Sequence, residues 1–588
     1  MSIDKRLVAF LNLVIFIRIA NCELEIHERI TEWNPGIPGG VPFISAPVKN
    51  VLNYGADNKG VSDCKNAVIA AINSVPDEGG VVYFPEGTYL LTGKIETGKS
   101  KVVFRGDGYN KTKILCNHED LCFDVITYKR GEWQNLISGY DKGSFSVVVE
   151  DGSKFHAGEF AEVQQNNDSA LMYTDPEWVT DWAQNAVGQL FEIVNIDKDT
   201  IYFQNRIHHG FRKDLLPVIR PQKFVTEVGF EKFYIERLKS GNSTFQFKNA
   251  AYCWIKEIES KNTYKAHVNN STTLGCEYRD SYFHNSFSYG GGGCGYGVEF
   301  GFHATDGLCE NNIFDSLRHS MMVHLGAAGC VFGYNYSINP VQGESKENLN
   351  DVWNPPDISL HGHYARMNLF EGNIVQEIGI SDHWGPMGPG NTFLRNLIEG
   401  EGVFLNDHSD YQNLIGNTFY SWGDDGTSVG TLRHGEKIKD EFIWDSRLTY
   451  QIPESFYLDS VPSFYGNLSW PSTGSSIAVN VIPAQIRWNS GKVITNISEK
   501  KTKLTSNKNR SVIYNLNTGS GRIRLFSQKE AETVNLLDIT GRIINRWIIP
   551  DKRDSKYELF FDRDVCPGLY LLQIKHRHGI IHHRILIP

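Results

Sequence analysis

The sequence predicts an all-β chain in which a parallel β-helix is followed by a small C-terminal β domain. The main observation is a six-residue pattern that recurs five times, with asparagine in fourth place and apolar or β-branched residues around it. These asparagines are 23, 38, 23 and 21 residues apart. A repeat of about 22 residues is typical of stacked coils that bury apolar residues only against one another. The second observation is the alternation of apolar and polar residues over the last ~80 residues, which is typical of strands. The five segments are CENNIF (309–314), FGYNYS (332–337), FEGNIV (370–375), FLRNLI (393–398) and LIGNTF (414–419).

The N-terminal residues 1–22 are predicted to be a signal peptide that is cleaved. Lys5 and Arg6 precede an apolar run over residues 7–17, and small residues follow at Ala20 and Cys22. This order of basic, apolar and small residues is that of a secretory signal, and the alternative is a buried N-terminal segment. The run is too short to span a bilayer comfortably. No later stretch looks transmembrane, so we expect a secreted or cell-surface protein with no membrane span.

Composition and charge argue against a nucleic-acid binder. The 588 residues are 40% hydrophobic and 21% charged, which is typical of a globular protein. The net charge is −10, and no cluster of lysine and arginine is present. If the ligand is an acidic polymer, the binding groove must carry local positive charge, because the net negative charge of the chain repels such a polymer.

The segment 51–91 predicts a strand, a helix and two further strands separated by turns. YGAD leads into a helix over residues 63–75, and GGVVYFPEGTYLL then gives a turn, a strand, a Pro-Glu-Gly turn and a strand. Together with FRGDGYNKTKI (104–114), this stretch resembles the opening of the pectate-lyase-like right-handed parallel β-helix superfamily. That superfamily includes polysaccharide lyases, glycoside hydrolases, epimerases and phage tailspikes. The resemblance implies a right-handed β-helix over residues 23–495 and leaves the chemistry open.

The C-terminal segments VNLLDITGRIINRWII (534–549) and VCPGLYLLQIKHRHGIIHHRILIP (565–588) read as alternating strands. They resemble the C-terminal sorting domain of the type IX secretion system, which is a small β-sandwich. The resemblance implies a sorting β-sandwich over residues 512–588, joined by a polar linker (496–511) and recognised by the secretion machinery as a partner. The alternative is an immunoglobulin-like accessory module that binds sugar.

The repeat also predicts features of the coil corners and of the core. Asparagine tolerates the left-handed backbone region, so we expect the repeated asparagines to take that conformation in tight turns. YRDSYF (278–283) places Asp280 at the same position in an earlier coil. Two long intervals, residues 289–297 and 339–356, are expected to form walls beside a binding face. Three cysteines at equivalent places of the repeat are expected to stack in the core, while another pair is close enough in sequence to bond. The stacked set is Cys276, Cys309 and Cys330, and the pair is Cys116 and Cys122.

Histidine recurs at one strand end in four successive coils when the coils are aligned by their asparagines. Neighbouring coils lie ~4.8 Å apart, so these side chains should form a strip. Arg318 and His319 lie one strand earlier in the first of these coils, and alternation places His361 and His363 on the same side of their strand. The strand ends are MMVHLG with His324, ISLHGH with His361 and His363, ISDHWG with Asp382 and His383, and FLNDHS with Asp407 and His408.

The resemblance to the pectate-lyase-like superfamily implies a substrate that contains uronic acid, because many polymers handled by that superfamily do. On such a polysaccharide or oligosaccharide, the strip predicts β-elimination. The reaction removes the proton α to the uronate carboxylate, so the site must stabilise an enolate-like intermediate with cations or hydrogen-bond donors. Histidine and tyrosine suit the acid and base roles near neutral pH. The predicted catalytic residues are His324, His361, His363, Asp382 and His383. The predicted substrate-binding residues are Arg318, His319, Tyr364, Arg366, Trp384, Asp407 and His408.

Other reactions remain open. Glycoside hydrolysis needs two carboxylates, for which Asp382 and Asp407 are candidates. An oligosaccharide dehydratase or an epimerase would use the same proton abstraction, and a non-catalytic carbohydrate-binding β-helix is a further alternative. No cofactor is firmly implied. Asp382 would suit calcium, whereas no HExxH or paired-cysteine motif supports a dedicated zinc site around the HGH segment.

Overall fold

The computed structural model describes residues 29–341, 355–381, 384–448, 451–471 and 481–494, and seven strands between residues 512 and 587. The predicted signal peptide and the linker 496–511 lie outside the described residues. The chain divides into two compact units, Met1–Thr495 and Asn496–Pro588. Strands are numbered here in chain order.

The first unit is a parallel β-helix, as predicted. One side of the stack is a sheet of 12 strands, each a short segment that follows one corner of its coil. Its strands, in spatial order, are β1 (Val48–Asn50), β3 (Gly80–Phe84), β6 (Val102–Gly106), β16 (Gly229–Glu231), β19 (Trp254–Lys256), β22 (Glu277–Arg279), β25 (Leu308–Glu310), β28 (Val331–Gly333), β31 (Leu369–Glu371), β33 (Thr392–Leu394), β35 (Asn413–Ile415) and β38 (Leu432–His434).

The remaining sides of the stack form a 22-stranded sheet. Some coils contribute two separate strands to it, and others contribute one longer strand that pairs with two strands of a neighbouring coil. Its strands are β2 (Lys59–Asp63), β4 (Gly87–Leu91), β5 (Ile95–Thr97), β7 (Thr112–Cys116), β8 (Phe123–Ile126), β15 (Val225–Thr226), β17 (Tyr234–Arg237), β18 (Phe245–Ala251), β20 (Glu259–Thr263), β21 (Ala266–Leu274), β23 (Tyr282–Ser286), β24 (Tyr296–Phe300), β26 (Ile313–Asp315), β27 (His319–Val323), β29 (Tyr336–Ile338), β30 (Ile358–Leu360), β32 (Ile374–Ile380), β34 (Leu397–Leu405), β36 (Thr418–Phe419), β37 (Trp422–Asp424), β39 (Glu436–Ile438) and β40 (Glu441–Ile443).

A closed six-stranded antiparallel barrel is inserted between β8 and β15, and the sequence patterns did not predict it. It has its own apolar core, which includes Phe191 and Phe203 with ring centroids 4.2 Å apart. Its strands are β9 (Gln134–Ser138), β10 (Ser146–Val149), β11 (Phe160–Gln164), β12 (Gly188–Asp197), β13 (Thr200–Phe203) and β14 (Val218–Gln222).

Helices are few. The predicted helix is present as α1 (Lys65–Ser74), and its apolar face packs in the main core through Val68 and Ile72. Two short helices follow. One is α2 (Ser169–Met172) in the barrel insertion, and the other is α3 (Pro483–Asn489), which lies after the last strand of the β-helix. No helix in the described part of the chain is long and apolar enough to cross a membrane. The short 3-10 helices are Val51–Tyr54, Gly152–Lys154, Pro176–Trp178, Asp181–Ala183, Lys213–Leu215 and Ser463–Tyr465.

The repeated asparagines form a buried ladder of hydrogen bonds between coils. The Asn335 side-chain amide donates to Asn373 Oδ1 at 3.0 Å, and the Asn373 amide donates to Asn396 Oδ1 at 3.0 Å. The ladder continues through Asn417 to the Glu436 carboxyl. Because each oxygen also accepts the backbone N–H of the coil before it, the ladder pairs polar groups that would otherwise be buried unpaired.

The predicted left-handed conformation of these asparagines is wrong by one position. The residue before each of them has the positive φ, for example 65° at Gly372 and 55° at Arg395. The asparagine follows the bend, and its side chain therefore points along the stack. Asp280 is likewise a bend residue with φ 55°, and its neighbour Ser281 takes the ladder position, where its N–H donates to Asn312 Oδ1 at 3.0 Å.

The prediction that three cysteines occupy equivalent places of the repeat is wrong for Cys309. Cys309 lies opposite Tyr278 and Phe332 on the two neighbouring coils. Cys276 and Cys330 each come two residues before those aromatic residues. Cys276, Cys309 and Cys330 are buried in the main core, and all eight cysteines among the described residues are unbonded to one another.

The C-terminal unit consists of a three-stranded and a four-stranded antiparallel sheet, which agrees with the predicted small β-sandwich. The first sheet has β41 (Val512–Ile513), β42 (Arg522–Ser527) and β45 (Ser555–Phe560), and the second has β43 (Ala531–Leu537), β44 (Ile543–Ile548), β46 (Gly568–His576) and β47 (Gly579–Ile587).

Candidate active site

A long groove of about 1400 Å³ runs over the strands β24, β27, β30, β32, β34 and β37. Its floor is the outer face of the 22-stranded sheet, and the predicted glycine-rich wall contributes Gly291, Gly292 and Gly293 to one side. Of the second predicted wall, residues 342–354 lie outside the described residues, whereas Pro356 lines the groove. Among the described residues, the groove lining extends over several successive coils of the stack, from Tyr296 to Asp425.

Strand register brings two of the predicted histidines side by side. Val323 of β27 pairs with Leu360 of β30, so the residues that follow, His324 and His361, occupy the same position on neighbouring coils. Their ring centroids are 6.3 Å apart. Further along the stack, Ser381, Asn406 and Asp425 take this position. The prediction that histidine recurs at this position in four coils is therefore correct for two of them, and other polar residues take the position in the later coils.

A carboxylate orients one of these histidines. His324 Nε2 lies 2.8 Å from Glu299 Oε1, one coil away. Burial raises the pKa of Glu299, but the hydrogen bond and charge of His324 outweigh it, so that its pKa lies below the usual value. Glu299 is therefore a carboxylate near neutral pH, and its hydrogen bond fixes the orientation of the imidazole.

A second carboxyl behaves in the opposite way. Burial, together with repulsion from Asp357 and Glu401, raises the pKa of Glu377 to about 8. Among the described residues, the Glu377 carboxyl accepts no hydrogen bond. Asp357 lies at the equivalent position one coil earlier, and burial raises its pKa to about 6. Glu377 consequently holds a proton at neutral pH inside the groove, as a general acid must.

Two positively charged side chains line the groove near the glycine-rich wall. Lys265 and Arg318 both line it, and Arg318 Nη1 donates to the carbonyl of Gly290 at 2.5 Å. Five carboxyls line the same groove, so positive potential is local to this wall. The carboxyls are those of Glu299, Glu377, Glu401, Asp407 and Asp425.

Two tryptophans form an aromatic rim. Trp182 comes from the barrel insertion and is 50% exposed. Its ring meets Trp384 edge to face, with centroids 5.2 Å apart. Exposed indoles at the edge of a polar groove are suited to stack against sugar rings.

Several predicted site residues lie elsewhere. His363 is buried beneath this rim, where its Nε2 is 3.1 Å from the carbonyl of Trp178 and its ring is 4.8 Å from that of Trp182. The prediction that His361 and His363 share one side is wrong, because β30 ends at Leu360 and the chain then bends with positive φ from Gly362 to Tyr364.

Arg366 is a structural residue rather than a groove residue. It is fully buried and donates to the carbonyls of Gly326 and Gly188 at 3.0 and 2.8 Å, which joins the β-helix to the barrel. Burial lowers its pKa to about 10. His319 is also buried, with its Nδ1 2.9 Å from the carbonyl of Pro356.

Tyr364 and His408 line a separate cavity of about 510 Å³ together with Arg29 and Tyr411. Burial raises the pKa of Tyr364. Asp407 does line the main groove, where the Ser381 hydroxyl lies 3.4 Å from its Oδ2. Asp382 and His383 lie outside the described residues.

Sequence reasoning missed Glu299, Glu377, Trp182 and Lys265. The two glutamates are the only acidic residues of largely apolar strands, YGVEF and IVQEIGI. That interruption was a usable signal, since a lone acid in such a strand must face out of the core or be paired. Trp182 had no signal in the repeat because it belongs to the insertion.

Comparisons with known proteins agree with the architecture. Residues 48–151 match the family model described as rhamnogalacturonase A/epimerase, pectate lyase-like. No curated protein matches the chain.

Among solved structures, the chain is similar to the tailspike gp61 of Pseudomonas phage phi297, with 13% identity, 64% of each chain covered and a TM-score of 0.46. It is also similar to the tailspike gp49 of Pseudomonas phage LKA1, with 14% identity over 64% of this chain and 63% of the tailspike and a TM-score of 0.46. The A-module of the mannuronan C-5 epimerase AlgE6 of Azotobacter vinelandii has 12% identity over 66% of this chain and 98% of the module, with a TM-score of 0.25. The chain spans less than two thirds of the length of either tailspike.

Proposed function

We propose that this protein is a carbohydrate-active enzyme that cleaves an acidic polysaccharide, or oligosaccharides from it, by β-elimination next to a uronic acid. The observation that carries the proposal is the pair His324 and His361 on the groove floor, with His324 held by Glu299. A carboxylate–histidine pair beside a second imidazole is suited to proton abstraction, whereas a groove that only binds sugar needs no such groups.

The roles follow from the chemistry of elimination. His361 takes the C5 proton, while Lys265 and Arg318 neutralise the uronate carboxylate as charge develops on it. The electron pair of the broken C–H bond forms the C4–C5 double bond, and the C4–O bond breaks. Glu377, which holds a proton near neutral pH, gives it to the leaving oxygen. Trp182 and Trp384 stack against neighbouring sugars.

Glycoside hydrolysis is the second candidate. The observation that favours it is the protonated Glu377 next to the exposed carboxylate of Glu401, within a lining that has five carboxyls against Lys265 and Arg318. One protonated and one ionised carboxyl are what a glycosidase needs. A lining of this sign also attracts a neutral polymer more readily than a polyanion.

Secretion belongs to the proposal as well. The signal-like residues 1–22 and the resemblance of residues 512–588 to a sorting domain support a protein at the cell surface or outside the cell, where polymers of this kind are found.

The deciding experiment is a product assay on alginate, pectin, ulvan and glycosaminoglycans, with a neutral glucan for comparison. Elimination gives ultraviolet absorbance from the unsaturated uronate, together with new reducing ends. New reducing ends without that absorbance would assign hydrolysis instead. Retention on a uronic polymer without any product would identify a binding protein, and inactivity with no binding would reject both reactions. His361→Ala, purified in parallel, controls for contaminating enzymes.

A further inference from the structure

A buried cluster of Cys116, His118 and Cys122 lies at a coil corner, and none of the three residues lines the groove. Cys116 ends β7, Cys122 directly precedes β8, and His118 lies in the corner between them. The two Sγ atoms and a ring nitrogen lie within 4.8 Å of one another. Both cysteines are fully buried and His118 is 9% exposed. Three soft or borderline ligand atoms therefore face a single point, at distances that one metal ion can bridge.

The imidazole of His118 supplies an independent observation. Within the described part of the chain, neither Nδ1 nor Nε2 of His118 has a hydrogen-bond partner, although both atoms are buried. Leaving a buried polar atom unpaired costs about 1–3 kcal/mol. A bound cation accepts the lone pair of one ring nitrogen and removes part of that cost.

The charge of the cluster is set by Arg237, at the equivalent position to Cys116 on the next coil. Arg237 is fully buried, and no described carboxylate forms a salt bridge with it. Its Nη1 donates to the carbonyls of Asp120 and Ser243 and lies 3.2 Å from Cys122 Sγ. A buried guanidinium needs a negative partner, and the nearest group that can become negative is a thiol.

Charge balance then discriminates between occupants. Two thiolates with Arg237 carry a net charge of −1, which a monovalent cation neutralises. A divalent cation would leave a net positive charge in the core, and a disulfide would leave the guanidinium without a counter-charge. Thiolates and imidazole are ligands that Cu(I) accepts readily.

We propose that Cys116, His118 and Cys122 form a three-coordinate site for a monovalent thiophilic cation, Cu(I), with Arg237 as the balancing charge. Binding forms two S–Cu bonds and one N–Cu bond and releases the two thiol protons to solvent. The copper enters and stays in the Cu(I) state, so no electron is transferred. The ion joins the end of β7 to the start of β8 and stabilises that corner of the β-helix.

The test uses the full chain, reduced and handled without oxygen, and titrated with Cu(I) in competition with a Cu(I) chelator. We expect one equivalent per chain, lost in Cys116→Ser and in Cys122→Ser. His118→Ala removes one of the three ligands. It should weaken Cu(I) binding by at least about 10- to 100-fold, which is the usual effect of losing a residue that only hydrogen-bonds to a ligand. Cys276→Ser is the matched control, because Cys276 is equally buried and lies outside the cluster, and it should bind as the wild type does.

X-ray absorption of the wild-type protein with Cu(I) removes any dependence on how the variants fold. Two sulfur neighbours and one nitrogen neighbour are expected around copper. The proposal is overturned by the absence of stoichiometric Cu(I) binding, by tighter binding of Zn²⁺ than of Cu(I), or by a Cys116–Cys122 disulfide in the freshly purified chain. Copper bound equally well by both serine variants would also overturn it.

Discussion

His324 and His361 share one position on successive coils, and their surroundings define the chemistry of the groove at the scale of single residues. Glu299 fixes the first imidazole at 2.8 Å. Glu377 holds its proton on the same floor. An imidazole to take the proton and a protonated carboxyl to give one are the two groups that elimination requires.

Replacing His361 with alanine should lower kcat/KM by about 100- to 10,000-fold, the usual effect of removing a general base. His324→Ala should have a similar or smaller effect. The matched control is His284→Ala, since His284 also lies near a glutamate, 3.2 Å from Glu259 Oε1, but does not line the groove. Circular dichroism should be unchanged in all three variants. Equal activity of His361→Ala and His284→Ala would remove the histidine pair from the mechanism.

Glu377→Gln should change both activity and the dependence of stability on pH. The folded protein holds a proton on Glu377 up to about pH 8, whereas the unfolded chain releases it near 4.5. The free energy of unfolding of the wild type therefore decreases as the pH rises from about 4.5 to about 8. Glutamine has no proton to release, so the stability of the variant does not fall over this pH range. Above pH 8 its free energy of unfolding should exceed that of the wild type by up to about 3 kcal/mol. Below the pKa of glutamate in the unfolded chain, near 4.5, the variant should have no advantage.

Urea unfolding of Glu377→Gln at the two ends of the window measures this difference, with the exposed Glu86→Gln as the control. A gain that is independent of pH would show that Glu377 is ionised in the folded protein. The same variant should lose most of its activity because the amide cannot protonate the leaving oxygen.

At the scale of elements, the asparagine ladder sets the stacking of the coils. Asn396 is fully buried; its Oδ1 accepts from the backbone and side chain of Asn373, and its amide donates to the carbonyl of Phe370 and to Asn417. Each coil thereby fixes the register of the next, which keeps the groove residues aligned.

Asn396→Ala should lower the free energy of unfolding by about 3 kcal/mol or more, because it leaves buried donors and acceptors unpaired on both neighbouring coils. Asn34→Ala, in which the lost hydrogen bond is exposed, should change it by less than about 0.5 kcal/mol. Chemical unfolding measures both. A small effect at Asn396 would mean that water replaces the missing amide.

The sequence predicts the repeat better than it predicts features that depend on which residues of different coils lie side by side. Period and flanking residues predicted the coils and placed His324 and His361 together. A second ladder, Asn368 to Asn391 to Gln412, escaped notice because its last member is glutamine. His363 was misplaced because alternation was extended past the end of its strand. Which lone acid faces the groove is decided by register between distant coils, and local patterns do not contain that information.

At the scale of the whole molecule, the chain consists of two compact units with different architectures. The first is a parallel β-helix with an inserted antiparallel barrel, and the second has antiparallel sheets alone. The groove lies entirely in the first unit. Catalysis and export are thus expected to depend on separate parts of the chain.

Truncation after Thr495 should leave kcat and KM of the purified enzyme within about twofold of the full chain, since the unit has its own core. In a bacterium with type IX secretion, the truncated protein should stay inside the cell. A reporter fused to the signal peptide and to residues 496–588 should be exported, and its retention would contradict the sorting role. Fractionation and activity assays check both outcomes.

The barrel leaves and rejoins the β-helix between coils that are themselves directly paired. Phe123 of β8 lies opposite Phe245 of β18, so the stack is continuous beneath the excursion. Trp182 reaches the rim of the groove from this excursion, whereas the histidines and carboxyls belong to the stack. Under the proposed function, substrate preference and the catalytic groups would then be encoded in separate stretches of the gene. A lineage of such proteins can acquire new polymers by exchanging one module while the reacting groups stay under unchanged selection.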